Sequence, residues 1–183
     1  MYNIGIKNDE VFFMYEVKKK KITIPTYKVG DPEPLPLYFE KRPYQGASGR
    51  VYPIPYVSSL SDEKKDHDYD GYVLENEYIR AVLLPELGGK VHCALDKTNG
   101  YDFIYNNKVI KPAMVGLAGP WVAGGIEFNW PQHHRPTTFM PVEHAEGKSG
   151  GNKAVFMGEV DYFHQMKGNV AISIDENSSV VRK

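Results

Sequence analysis

Cysteine is nearly absent: Cys93 is the single one in 183 residues, so no intrachain disulfide can form and a disulfide-stapled scaffold is excluded. It sits in the run Lys90-Val91-His92-Cys93-Ala94-Leu95, whose alternation suits a half-buried strand, and it reads as a structural thiol. An excess of either charge is also lacking. Twenty-two basic residues against 23 acidic ones leave a net charge of −1 and a pI near 6.6, which offers no basic footprint for nucleic acid or an anionic membrane. No stretch reaches the ~18 apolar residues that span a bilayer, because charge, Gly or Pro interrupts every candidate. The N-terminal run Met1 to Glu10 lacks the basic-then-apolar order of a signal peptide. The expected location is the cytoplasm, or the periplasm or exterior if a signal peptide has been removed.

Windows free of helix breakers are scarce too. Thirteen prolines and 17 glycines are spread so evenly that few segments could hold a helix of average length. Short alternating runs take their place: Ile22 to Ile24, Tyr78 to Leu84, Lys90 to Leu95, Phe103 to Tyr105, Ala154 to Met157 and Val170 to Ile174. Each is bounded by turn residues, with Gly88-Gly89, Asn99-Gly100 and Asp175 to Ser178 as the turns. The pattern predicts an all-β fold, an antiparallel β-sandwich.

Residues 31–57 carry the extended segments Asp31-Pro32-Glu33-Pro34-Leu35-Pro36 and Tyr52-Pro53-Ile54-Pro55-Tyr56, read as rigid connections over the surface. Ser61 to Asp68 is expected to be a solvated mixed-charge loop, since the ligand spacing of a calcium loop is missing. Lys18 to Lys21 is expected to be a solvated strand edge, where charge discourages aggregation.

Chemistry-bearing residues concentrate between Gly119 and Pro136, where two Trp, one Glu, two His and one Arg fall together. Paired glycines at 124 and 125 let the backbone bend tightly and present the side chains that follow on a rim. Trp121 and Trp130 offer faces on which the C–H groups of a sugar can stack, while its hydroxyls take directional hydrogen bonds. Glu127 and either His133 or His134 are candidate acid–base groups, hence candidate catalytic residues. Trp121, Asn129, Trp130, Arg135 and His144 are candidate substrate-binding residues. Strand alternation sets Glu127 on the face opposite Ile126 and Phe128, either solvated or lining a cleft. Neighbouring histidines in an extended chain point to opposite sides, and the spacing of Glu127, His134 and His144 matches no strong metal signature. No metal and no cofactor are expected.

The run Val73 to Val91 with Pro85-Glu86-Leu87-Gly88-Gly89, followed by Asp96-Lys97-Thr98-Asn99-Gly100, resembles the opening of the galactose-mutarotase-like fold. The segment Gly116 to Thr138 with Gly124-Gly125-Ile126-Glu127-Phe128-Asn129-Trp130-Pro131 is similar to a narrower group, bacterial proteins frequent in Bacteroidetes that carry this domain ahead of tetratricopeptide repeats. The resemblance covers roughly residues 15–183. It implies a partial mutarotase-like supersandwich over residues 38–183, preceded by N-terminal strands and a proline-rich lead-in over 1–37, and a carbohydrate cleft on one face. Aldose epimerases of this fold use a histidine as acid and a late glutamate as base. No His precedes Gly124-Gly125, so the histidine's role does not transfer. The sequence stops at Lys183, before the position of that glutamate, and the chain by itself is expected to be catalytically inactive.

Two functional readings follow. One is a carbohydrate-binding domain of an epimerase-like or glycoside-hydrolase-like protein. The other is a non-catalytic scaffold or protein-interaction module on the same fold. A homo-oligomer is expected through unpaired sheet edges.

Overall fold

The computed structural model describes residues 15–35, 53–131 and 134–183. Every regular element among them is a β-strand: β1 (Glu16–Val29), β2 (Leu60–Glu75), β3 (Ile79–Leu84), β4 (Lys90–Asp96), β5 (Tyr101–Asp102), β6 (Ala113–Gly116), β7 (Gly119–Trp121), β8 (Glu143–Ser149), β9 (Asn152–Asp161), β10 (Met166–Ile174) and β11 (Val181–Arg182). They build a five-stranded sheet in the order β1-β2-β3-β4-β5, a four-stranded sheet in the order β11-β10-β9-β8, and the ribbon β6-β7. Neighbouring strands pair antiparallel throughout.

Burial makes this a sandwich. Leu74, Ala81, Leu83, Val91 and Ala94 of the larger sheet meet Val155, Met157, Ile172 and Ile174 of the smaller one in a single core. Each of these side chains is at most 2% exposed, and full burial of a large aliphatic group stabilises the fold by about 1.5–3 kcal/mol. Asn76, 2% exposed, fastens the β2–β3 turn to the far sheet. Its amide donates to the carbonyls of Asp175 and Ser178, at 2.6 and 2.8 Å, while its oxygen accepts from the N–H groups of Tyr78 and Ile79.

The opposite face of the larger sheet is also covered. Ile24, Tyr69 and Leu84 pack there with Leu87, Ile110 and Val122 from the turns and loops. A bulge in β4, opposite Val82 and Leu83, shifts the alternation by one residue. Val91 and Ala94 therefore both enter the main core, while Lys90 shares a face with its cross-strand partner Leu84.

The predicted strands 22–24, 90–95, 154–157 and 170–174 fall within β1, β4, β9 and β10, and 78–84 covers β3 with Tyr78 one residue ahead of it; Gly88, Gly89 and Gly100 turn with positive φ. Phe103 to Tyr105 is not a strand. Ile104 enters the core, but the strand that pairs there, β5, ends at Asp102. Ser61 to Asp68 is not a loop either. It forms the exposed half of β2, because the backbone ladder to β1, from Lys64 opposite Tyr27 to Asp68 opposite Thr23, holds it extended. Lys18 to Lys21 are exposed on β1, the edge of the larger sheet. Cys93 is half-buried and free.

β1 falls inside the stretch read above as a lead-in, and it pairs with β2 along nearly its whole length. Of the proline-rich stretch, residues 36–52 lie outside the described residues. Its two ends meet through the bond from the Glu33 N–H to the Tyr56 carbonyl.

Candidate functional site

The glycine pair makes the site. Gly124 and Gly125 have φ of 85° and 75°, the left-handed region that side chains disfavour. A Cβ on Gly125 would lie 2.4 Å from the carbonyl oxygen of Val91. With glycine there, the segment docks on β4 through paired bonds between Val91 and Ile126, at 2.8 and 3.2 Å, and through the Gly125 N–H to the Tyr105 carbonyl, at 2.7 Å. Phe128 then enters the main core and Ile126 is left 43% exposed, so the two do not share one apolar side as strand alternation would have them.

Glu127 points inward, its side chain 15% exposed. One carboxylate oxygen, Oε2, accepts from the indole N–H of Trp121 at 3.3 Å and lies 3.0 Å from Nδ1 of His134. An ionised carboxylate only accepts, so His134 carries a proton on Nδ1 in this arrangement. The Trp121 and His134 rings are 5.2 Å apart and tilted by 56°. The other oxygen, Oε1, is buried without a hydrogen-bond partner.

Below them lie two titratable side chains of β4. Lys90 is 3% exposed and donates to the Val122 carbonyl at 3.1 Å. Burial pulls its pKa down to about 8, with the nearby charge of Glu127 opposing. His92, 8% exposed, is held down at about 4, by burial first and then by the charges of Lys90 and Lys108. At neutral pH His92 is an uncharged imidazole.

Trp121, Glu127 and His134 are therefore one hydrogen-bonded group, and the remaining predicted site residues stand elsewhere. His133 lies outside the described residues. Asn129 is exposed beside Phe128. Trp130 lies against β10, where a Cβ on Gly168 would come within 2.6 Å of its ring. Arg135 is 3% exposed and its guanidinium is committed to Glu159, at 2.9 Å, and to the carbonyl of Gly88. His144 stands on β8, with Nδ1 2.9 Å from the Tyr72 hydroxyl. No group of three or more His, Cys, Asp or Glu side chains suited to a metal ion occurs among the described residues.

Sequence reasoning missed Lys90 and His92. The signal was two polar residues at alternate positions of an otherwise apolar strand, which a half-buried strand explains without any site. Chemically, the group combines a carboxylate–imidazole pair able to exchange a proton, an indole beside it, and an acceptor oxygen with no partner inside the protein.

Residues 47–183 match a family described as Domain of unknown function (DUF5107). Among solved structures, the chain is similar to a TPR-domain containing protein from Parabacteroides distasonis ATCC 8503, with a TM-score of 0.76 and 28% identity over 91% of this chain. The chain spans 28% of the length of that protein.

Proposed function

The chain belongs to the DUF5107 family, and from that premise we propose that it is the carbohydrate-recognising domain of a sugar-active protein, built on a galactose-mutarotase-like sandwich. The observation that carries the reading is the Glu127 carboxylate: one oxygen is fixed by Trp121 and His134, and the other is buried and unsatisfied. A buried acceptor without a partner costs about 1–3 kcal/mol, which a ligand hydroxyl repays by donating to it. The Trp121 indole beside it supplies the apolar surface that sugar C–H groups need.

Where the whole protein is catalytic, Glu127 and His134 are the acid–base pair of an epimerisation or a glycoside cleavage. His133 remains a candidate with them, and Asn129 a candidate contact beside Glu127.

The test is tryptophan fluorescence of the chain titrated with monosaccharides and with plant and mucin glycans. Trp121 reports directly, because its N–H is bonded to Glu127. A saturable change with one class of saccharide, abolished by Glu127→Gln, is the expected result. Emission that stays blue-shifted and responds to no saccharide would overturn the reading.

A second reading, a scaffold for protein partners, is favoured by the likeness to a protein described as TPR-domain containing, since such repeat arrays offer extended binding surfaces. A chain that is folded but unresponsive to every saccharide would favour it.

A further inference from the structure

Beside the second core, on the face of the larger sheet turned away from the smaller one, a cleft of about 230 Å³ opens to the surface. This is below the ~300–1,000 Å³ of pockets that take drug-sized ligands, so it suits a small molecule. None of Trp121, Glu127 and His134 lines it. Leu87, Ile110, Val122 and Phe139 give it apolar walls, and Thr26 of β1 joins His67 and Tyr69 of β2 in the lining.

Two polar side chains face each other in this cleft. Nε2 of His67 lies 3.7 Å from Oε2 of Glu86, too far for a hydrogen bond, and the two side chains are 38% and 32% exposed. Glu86 is held in place through its other oxygen, which accepts from the Asp70 N–H. Among the described residues, Oε2 receives no hydrogen bond. The two hydroxyls of the lining have no proton to give. Thr26 Oγ1 donates to the Ile24 carbonyl at 2.9 Å, so in the 3.0 Å bond between Thr26 and Tyr69 the phenol is the donor.

Aromatic rings complete the lining. His67 packs edge-on against Tyr69, their centroids 4.5 Å apart, and Tyr27 and Phe139 stand with them. Glu86 is the single carboxylate among these groups. Lys28, the single ammonium, is exposed on β1, and β2 separates it from β3, whose C-terminal end leads to Glu86.

The occupant must therefore donate to a carboxylate and suit a wall of rings and aliphatic groups. An anion meets Glu86 with like charge. An alcohol brings one proton and no charge. A primary ammonium brings three protons and no lone pair, with a charge that the carboxylate and the ring faces both favour.

We infer that this cleft binds a small primary amine in its ammonium form, the ammonium donating to Glu86 Oε2 and the apolar body lying against Leu87, Ile110, Val122 and Phe139. The inference does not rest on the carbohydrate reading.

The experiment titrates the full chain with 2-phenylethylamine and, in parallel, with its alcohol and acid counterparts, 2-phenylethanol and phenylacetate. Calorimetry gives the affinities, and the methyl NMR signals of Leu87, Ile110 and Val122 report the place of binding. Wild type is expected to bind the amine with shifts at these methyl groups, and to bind the alcohol and the acid at least about tenfold more weakly, since a hydrogen bond to a charged group is worth about that factor or more. Glu86→Gln keeps an oxygen for the Asp70 N–H and loses the charge. It is expected to lower amine affinity by about the same tenfold factor and to bring it level with the alcohol, in a variant whose thermal transition is unchanged.

Amine affinity within twofold of wild type in folded Glu86→Gln would overturn the inference. So would an alcohol or acid that binds wild type as tightly as the amine, amine binding that leaves the three methyl signals unmoved, or no amine binding at all. The ligand series on wild type decides the matter where Glu86→Gln does not fold.

Discussion

His92 of β4 shows how burial sets a side chain's chemistry, with nearby charges second. His92 is kept near pKa 4 in the fold against about 6.5 in an unfolded chain. Between those values the unfolded state holds a proton that the folded state refuses, so stability rises with pH across the window. Acidification from pH 6.5 to 4 is therefore expected to cost up to about 3 kcal/mol, and His92→Gln is expected to flatten that slope in urea titrations at stepped pH. Glu75 acts lower on the scale. Its hydrogen bonds to Arg80 and then Lys97 hold it at about 2, so its contribution is present above the usual carboxylate range and is lost only as pH falls toward 2. Arg135 gives a prediction of another kind. Removing its guanidinium in Arg135→Met strands Glu159, whose side chain is 15% exposed, beside Thr137. A loss of about 3–5 kcal/mol is expected, as for other broken buried pairs, read as a lowered denaturation midpoint. The residue types at 127, 134 and 135 were legible as chemistry in the sequence. That Arg135 ties the Gly88 turn to β9 was not, because its partners lie 47 and 24 residues away.

At the scale of elements, the site depends on one backbone segment lying flat on β4. Gly125→Ala sets a methyl against the Val91 carbonyl in a left-handed conformation. Strain of this kind costs on the order of 1–3 kcal/mol, and the docking of Glu127 depends on the same contact. The variant is expected to lose both stability and the saccharide response. Gly100→Ala is the comparison: its φ of 73° is similar, but nothing lies within 4 Å of the added carbon. It is expected to cost about 1–2 kcal/mol and to leave the saccharide response unchanged, with thermal melts and fluorescence titration as the readouts. The Gly124-Gly125 bend was readable because glycine pairs have few structural uses outside turns and close approaches. The acidic half of β2 was not readable as a strand. Its order comes from the ladder to β1, a partner more than thirty residues distant that leaves no mark on the local charge pattern.

For the molecule as a whole, the four-stranded sheet ends, among the described residues, at β8, whose residues are almost all exposed. We propose that two copies of the chain pair along this edge. An antiparallel register with Gly147 on the twofold axis sets Glu146 opposite Lys148 in both halves, and opposite charges directly across a ladder are favourable. Light scattering at micromolar concentration is expected to report a dimer that weakens with salt, and Glu146→Lys is expected to yield monomer. A wild-type monomer at low salt would end the proposal. The sequence by itself determined the all-β class, strands β3, β4, β9 and β10 with part of β1, and the neighbourhood of the site, because alternation, turn residues and the 6- and 7-residue separations of Trp121 and His134 from Glu127 are local properties. Only the tertiary structure decided which candidates meet. Lys90 reaches the site from 32 residues before its carbonyl partner, and His144 is drawn away to Tyr72 across 72 residues. Alternation says which side of a strand a residue faces, and what covers that side is fixed by the packing of distant segments.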